Sequence, residues 1–471
     1  MKKLFHNLLY QSFYQMMLLI LPIITIPVVS KALGPEGIGF YNYVYSIVSY
    51  FVLFAGLGLA NYGIREIALV RNNKESLSRK FWELELFNII IVSIILVTYF
   101  IFLNFVNDRV YYLVSGLIIV ATLFDISWFF AGIENFKAIT LGNLIIKLSS
   151  FFLILIFVNT YDDLFMYFCI QIGNILMTNI LLWVFLIGKI SFVKVDLKSI
   201  ISHFYPALGY LFGKMAITLY TTLNKTLLGI MSTTALVGIY ANSMQLNSII
   251  VTLIATLDTV LLPHMTGLIS DNKENQIVNV MKKTLNLQFF FSIGAFFGIL
   301  TVYDKLVPWF FGEKFLYLNK TIPILSILII IIPLGTSIVR QFLIPKNQIK
   351  DFNISVVTGA IIGVLLNFSL IPVIGIWGAI VATIVSELFV TSIRVYRLIK
   401  DTDFCFNLRN IILYILSGFI MLMLTRFITK DLSSSLLTNL IQIVLGGLIY
   451  LGCTLILKIN PLTSLIKQIT K

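Results

Sequence analysis

The chain has 471 residues, of which 59% are hydrophobic and only 12% charged. A soluble domain carries about 25% charged residues because its surface faces water. Most of this surface therefore faces lipid, and at roughly 20 residues per crossing helices fill the length, which excludes a nucleotide-hydrolysing or Rossmann module. The 34 Lys and Arg against 21 Asp and Glu give +13, a balance that points to nucleic acid in a soluble chain but to loops held on the cytoplasmic side in a membrane protein.

Apolar runs broken by polar turns predict fourteen helices, at 8–33, 38–62, 82–104, 110–132, 139–159, 163–187, 203–231, 235–262, 285–304, 321–344, 352–371, 375–399, 408–428 and 436–457. The basic start MKKLFHNLLYQ resembles the flank of a signal peptide but runs into a full-length helix without a small-residue cleavage site, so it is expected to be retained. Helix 1 contains Pro22 and Pro27, each of which removes a backbone donor and crowds the preceding turn, which marks a bend and a candidate gating hinge. Helix 2 carries the polar stripe Asn42, Ser46 and Ser49. In helix 3 the run FNIIIVSIILVTYFIFL is apolar all round, unlike the period-two alternation of a membrane β-strand.

Helices 4 and 5 meet at a turn centred near residue 136, and reflection about it takes Asp125 to Lys147. The simplest account is a buried ion pair at one depth of the hairpin; the other is that Asp125 binds a coupling ion. Helix 7 places Lys214, Thr218, Thr221 and Lys225 at i, i+4, i+7 and i+11, all on one face, with the two ammonium groups about 16 Å apart. Helix 8 continues with Gln245, Ser248, Thr252, Thr256 and Thr259. An ionisable side chain inside a membrane is costly and marks function by default, so these stripes are read as the wall of a shared aqueous cavity. Against that stand two blander readings, in which Ser and Thr bond their own helix carbonyls and lysines snorkel to the interface or meet an unseen acid.

Farther along, the outer loop 305–320 holds Pro308-Trp309-Phe310-Phe311, expected in the membrane interface. Pro323, Pro333 and Pro345 mark bends in helix 10, and glycines four apart, at 209 and 213, 294 and 298, and 359 and 363, permit close helix packing. Glu387 in helix 12 and Asp258 near the end of helix 8 join Asp125 as the acids able to take a coupling H⁺ or Na⁺. His6, His203 and His264 fall at the cytoplasmic face, where solvated roles are expected. The cysteines Cys169, Cys405 and Cys453 imply no disulfide framework and have no metal-ligand spacing. No cofactor, metal or catalytic residue set is apparent. GLGLAN at 56–61 lacks the third glycine and the preceding strand of a dinucleotide loop.

With the amino terminus inside, 24 of the 34 Lys and Arg fall on inner segments and seven on outer ones, with Lys147, Lys214 and Lys225 inside helices. This asymmetry places both termini in the cytoplasm. The inner segments 63–81, 188–202 and 263–284 are expected to be basic loops beside anionic headgroups. A faint repeat relates GIGFY (37–41) to LVGIY (236–240), with Gly39 matching Gly238 and Tyr41 matching Tyr240 at an offset of 199 residues. That offset spans six helices and predicts two pseudo-symmetric six-helix lobes, 1–188 and 189–400, followed by two further helices in 401–471.

The stretch SKALGPEGIGFYNYVYSIVSYFVLFAGLGLANYGIREIA (30–68) resembles the amino-terminal signature of Wzx-type polysaccharide flippases. With the helix count and the lobe offset, the chain is identified as a member of the multidrug/oligosaccharidyl-lipid/polysaccharide (MOP) exporter superfamily. The resemblance implies an all-α alternating-access transporter of the bacterial cytoplasmic membrane with a cavity between helices 1, 2, 7 and 8. It implies movement of an undecaprenyl-diphosphate-linked oligosaccharide to the outer leaflet, beside polysaccharide polymerase and glycosyltransferase partners and no nucleic acid. The family's basic residue before the LG turn corresponds to Lys31, where Arg would offer a bidentate fork, and its Arg at the end of helix 2 corresponds to Arg65. Together with Lys214, Lys225, Thr218, Thr221, Gln245 and Asn42 these form the expected substrate cavity. A lipid II flippase or drug exporter of the same superfamily is the nearest alternative. A membrane polymerase or glycosyltransferase would need a carboxylate or Arg cluster in a sizeable outer loop, where only Asp304, Glu313 and scattered basic residues stand. A non-transporting scaffold leaves the cationic face unused.

Overall fold

A computed structural model describes residues 2–270 and 274–463, and no strand occurs among them. The chain divides into two compact units, Met1–Gly229 and Ile230–Lys471.

In the first unit α1 spans Lys2–Gly56, with helical geometry through Pro22 and Pro27 and a break at Gly34 (φ 65°, ψ −178°). Only glycine adopts that φ freely. Pro35 then opens the second arm, where its missing N–H costs nothing. The expected helix 38–62 is interrupted at Leu57 and Gly58, both at positive φ. A Cβ on Gly58 would lie 2.6 Å from the Ala207 carbonyl oxygen and 2.8 Å from the Leu211 nitrogen, so the backbone of a later helix packs directly against this turn. The next helix, α2 (Leu59–Val70), is followed closely by α3 (Lys74–Phe102). Asn73 caps α3 by accepting from Glu75 N and Ser76 N at 3.0 Å each, satisfying donors that a helix start leaves free. Much of the segment 63–81, expected as a loop, is thus helix.

The expected helix 110–132 is divided into α4 (Arg109–Leu123) and α5 (Ser127–Gly132), and α6 (Phe136–Phe157), α7 (Leu164–Leu186), the short α8 (Leu197–Ser202) and α9 (Phe204–Met231) complete the unit. Its inner cluster joins α2, α3, α5 and α7 through Ile67, Phe81, Leu84, Trp128, Phe129, Phe130 and Leu182. Trp128 stacks on Phe81 at 5.6 Å and 25°, and Gly63 makes room for the indole, which a Cβ there would meet at 2.9 Å. Lipid tails are as apolar as leucine, so within the bilayer such contacts hold by fit rather than by excluding water. The outward face of α3 shows the complement, with Ile94, Val97 and Ile101 exposed at 56%, 61% and 56% while Tyr99 is buried.

The second unit begins with two long helices, α10 (Thr234–Ser270) and α11 (Glu274–Phe310). The expected loop 263–284 is mostly helix in consequence. The Trp309 region is also corrected. Phe310, Phe311 and Phe315 are buried in the unit, Phe311 at 1% exposure, and Trp309 Nε1 donates to Asn439 Oδ1, so the cluster packs inward rather than lying in the interface. Then follow α12 (Leu318–Leu325) and α13 (Leu328–Ile338), the five-residue π-helix Val339–Leu343, α14 (Ile349–Ile374), α15 (Ile376–Asp401), α16 (Leu408–Ile428) and α17 (Leu436–Ile456). Of the small-residue positions, Gly294 lies against the Tyr450 ring, whereas Gly209 and Gly298 face open space.

Eleven segments of the described residues are long and apolar enough to cross a membrane. The Gly34 break divides the first of these, Leu21–Val70, and adding α6 and α9 brings the crossing-length segments to fourteen. The protein is a multi-pass, all-α membrane protein.

Candidate functional site

The second arm of α1 and the end of α9 form a polar seam within the first unit. Lys225 Nζ donates to Asn42 Oδ1 at 2.9 Å, and Asn42 Nδ2 in turn donates to the Ile38 carbonyl at 2.9 Å, which fixes the amide's orientation. One turn on, Thr226 Oγ1 donates to Ser46 Oγ at 2.8 Å, and the Tyr50 hydroxyl lies 3.0 Å from Thr226 Oγ1. The stripe predicted on helix 2 and the lysine predicted on helix 7 therefore meet. A Cβ on Gly229 would come within 2.0 Å of the Tyr43 ring, so a glycine there lets the two helices approach closely. Lys225 and Thr218 are half-buried, while Lys214 and Thr221 are exposed. An ammonium has three protons, and Asn42 takes one of Lys225's, which leaves an oriented cation able to receive an anion.

The hydroxyls follow the blander reading in part. Ser49, Thr221, Thr252 and Thr256 donate to carbonyls of their own helices, whereas Ser46 also joins the seam. Lys31 and Arg65 are exposed, on α1 and α2, and Gln245 is exposed in the second unit. Thr259, His6 and His264 lie outside the described side chains.

Asp125 and Lys147 make no ion pair among the described residues. The helix expected to carry Asp125 ends at Leu123, and Asp125 Oδ1 instead accepts from Ser127 N at 3.0 Å, in the turn that precedes α5. Reflection assumed two unbroken helices, and the break turns the carboxylate to its own backbone. Lys147 remains half-buried on α6.

In the second unit Asp258 is 2% exposed and accepts from Ser337 Oγ at 2.8 Å and from Gln341 Nε2 at 2.7 Å. Gln341 Oε1 accepts in turn from Thr284 Oγ1 at 2.6 Å. Gln341 lies in the π-helix, which re-aims side chains by one extra residue per turn. Glu387 is half-buried on α15. An apolar cavity of about 400 Å³ opens between α11, α16 and α17, lined by Phe290, Gly294, Gly298, Met421, Gly446 and Tyr450 among others.

Two features escaped sequence reasoning. His203, expected in solvent, is 4% exposed. The Tyr62 hydroxyl lies 2.7 Å from His203 Nδ1, His203 Nε2 lies 3.3 Å from Glu83 Oε2, and Lys80 Nζ pairs with that same oxygen at 2.7 Å. A carboxylate only accepts, so Nε2 carries the proton and Nδ1 accepts from Tyr62. Burial first, then the neighbouring Lys80, holds the imidazole below its ordinary value against the pull of Glu83. The other feature is Glu85, fully buried on α3. The string WELEL carried a faint signal, two acids entering an apolar run.

The family model for polysaccharide biosynthesis proteins matches residues 4–269, which include the whole seam. A putative O-antigen transporter of Escherichia coli (strain K12) is 23% identical over 82% of this chain and 94% of its own length. Among solved structures, a lipid II flippase, MurJ, in an inward closed conformation aligns with a TM-score of 0.76 at 15% identity, covering 96% of this chain and 98% of that one. An inward-facing multidrug resistance MATE family transporter of the MOP superfamily aligns at 0.62 and 13% identity, over 83% of this chain and 97% of that one. The fold is thus of the MOP type, and the chain belongs to the polysaccharide biosynthesis protein family.

Proposed function

We propose that the protein is a flippase that moves an undecaprenyl-diphosphate-linked oligosaccharide repeat unit from the inner to the outer leaflet of the bacterial cytoplasmic membrane by alternating access, for export of a capsule or O-antigen type polysaccharide. The observation that carries this reading is the half-buried Lys225, oriented by Asn42 in a crossing-length helix. A cation is placed there at a cost of about 2.5–3.5 kcal/mol on insertion scales, which an anionic passenger offsets. A diphosphate with about two negative charges is drawn more strongly as the dielectric falls. Lys214 continues the same face about 16 Å away, and Thr218 and Thr221 lie between, so the headgroup passes from one weak site to the next. Separated single charges bind without trapping. Lys31 and Arg65 mark the ends of this path. The apolar cavity at α11, α16 and α17 suits an isoprenoid tail, which needs no polar partner. Both termini lie in the cytoplasm, where glycosyltransferases would supply the substrate, and a polymerase would consume it outside.

The test is leaflet accessibility of a fluorescent polyprenyl-diphosphate oligosaccharide in proteoliposomes. Purified protein should expose the inner pool to an impermeant quencher, and the Lys214→Ala, Lys225→Ala double variant should not. Equal rates in protein-free vesicles and proteoliposomes reject the reading.

A further inference from the structure

The connection from α7 to α9 (187–203) has two unlike faces. Its inner face is fastened to α2 and α3. Ser191 N donates to Ser78 Oγ at 3.0 Å, and Trp82 Nε1 donates to the Ser191 carbonyl at 3.1 Å. Ile200 is buried in the inner cluster, and His203 lies between Tyr62 and Glu83. Asp196, the one acid of the connection, accepts from Ser199 N at 3.2 Å and from Ser199 Oγ at 2.6 Å, which caps α8. The outer face is apolar and basic. Phe192 is 77% exposed, Leu197 and Ile201, on one side of α8, are 65% and 57% exposed, and Tyr205 at the root of α9 is 82% exposed. Lys194 and Lys198 stand exposed among them.

The helix α3 gives the depth of this connection. Its apolar run 87–103 has seventeen residues and is about 26 Å long, close to the hydrocarbon thickness of a bilayer. Trp82 and Glu83, which hold the connection, precede that run by five and four residues, about 6–8 Å, the level of the headgroups. A segment with large apolar side chains and lysines on its free face lies in the plane of a bilayer, its apolar groups sunk into the boundary between headgroups and acyl chains. The lysines select anionic headgroups. We propose that the connection is a lipid anchor. Phe192, Leu197, Ile201 and Tyr205 enter the bilayer surface at the amino-terminal end of α3, and Lys194 and Lys198 bind the headgroups of anionic phospholipids there. Only the naming of that surface as cytoplasmic rests on the flippase reading above. Because the inner face is fastened, the anchor sets the depth at which α9 enters the bilayer, and that helix carries Lys214 and Lys225.

The test uses the full-length chain in symmetric vesicles, where neither its orientation nor transport affects the result. A fluorescent probe on Ile201→Cys, with the native cysteines replaced by serine, reads quenching by spin-labelled lipids at equal mole fraction. Spin-labelled phosphatidylcholine should quench it, and spin-labelled phosphatidylglycerol should do so several-fold more effectively. The Lys194→Gln, Lys198→Gln double variant should lose that preference and keep the quenching. A probe on Ile361→Cys, exposed on α14, should be quenched by both lipids alike, and an equal anionic preference there would make it a property of the whole surface and overturn the anchor. No quenching at 201 by either lipid overturns it as well. Equal quenching at 201 removes the anionic partner, and shielding that grows with the protein-to-lipid ratio without lipid quenching gives the face to a second copy of the chain; either result rejects the proposal. If the labelled variants melt below wild type, hydrogen exchange of the unmodified chain decides. Amides of 188–203 should exchange more slowly in nanodiscs containing phosphatidylglycerol than in phosphatidylcholine alone, and equal exchange overturns the anchor.

Discussion

Lys225 and Asn42 should act on the passenger as one unit, and a double-mutant cycle measures this. Lys225→Ala removes one charge-assisted hydrogen bond to a diphosphate, worth about 1.5–3 kcal/mol, or roughly 10- to 150-fold in Kd at about 1.4 kcal/mol per decade. Asn42→Ala leaves the ammonium in place but takes away the oxygen that holds it at 2.9 Å. The loss should be that of an ordinary hydrogen bond, about 0.5–1.5 kcal/mol, roughly 2- to 12-fold. Because Asn42 acts through Lys225, adding Asn42→Ala to Lys225→Ala should cost nothing further, a coupling within the range of about 0.5–3 kcal/mol seen for residues in contact. Lys225→Arg should retain most of the affinity. The assay is the Kd of a fluorescent polyprenyl-diphosphate sugar for protein in nanodiscs, with the uncharged polyprenol as control. Wild-type affinity in Lys225→Ala refutes the argument, and so does an equal loss for the uncharged control, which would make the lysine structural.

Gly58 and Gly188 share a positive φ, 75° and 79°, but only Gly58 lies against another backbone; Gly188→Ala should cost the strain alone, about 1–2 kcal/mol, and Gly58→Ala clearly more, and equal losses in thermal melts would contradict the packing described. His203 has its proton affinity lowered from an ordinary value of 6.5, so the unfolded chain binds that proton more readily; the stabilisation is full above about pH 6.5 and is lost as pH falls through the folded value. His203→Gln should flatten this acid dependence in melting curves, and an unchanged slope would sink the claim. Cysteines at Ser76 and Ser434 should be respectively shielded from and reactive to an impermeant reagent in intact cells, and the opposite pattern would invert the topology. Phe311→Ala, at 1% exposure, should destabilise the second unit by about 3–5 kcal/mol, where an interfacial phenylalanine would lose little.

Hydropathy made the helix count legible, since each crossing must be apolar over a bilayer's thickness. Periodicity did the same for the seam: Asn42, Ser46 and Lys225 are recognisable because polar residues in lipid are few and helical spacing fixes their faces. What escaped the sequence were interruptions and depths. Leu57 and Gly58 read as apolar helix, yet the close approach of Ala207 and Leu211, some 150 residues later, accompanies a break there. Asp125 was assigned by reflection to Lys147, but one short turn after Leu123 redirected it to Ser127. Basic residues suggested loops at 63–81, whereas Asn73 caps a helix through much of that stretch. His203 read as a solvated residue at the cytoplasmic face and Glu85 drew no reading, because burial depends on neighbours distant in sequence.

The order of biosynthesis gives the last two helices a particular importance. Asn439 Nδ2 donates to the Val302 carbonyl at 3.2 Å and to Gln442 Oε1 at 2.8 Å, Gln442 Nε2 donates to Thr429 Oγ1 at 3.0 Å, and Trp309 Nε1 is spent on Asn439. Lys305 Nζ donates to the Lys430 and Leu432 carbonyls at 3.1 and 2.7 Å. Chains are made from the amino end at roughly 5–20 residues per second, so α11 is in the bilayer well before the groups that complete its polar contacts have left the ribosome. During that interval Trp309 and Lys305 lack the protein acceptors they have in the finished fold. A chain that stops before residue 439 therefore lacks the Asn439 acceptor of Trp309, and the contacts that tie α11 to α17 are the last of these to form.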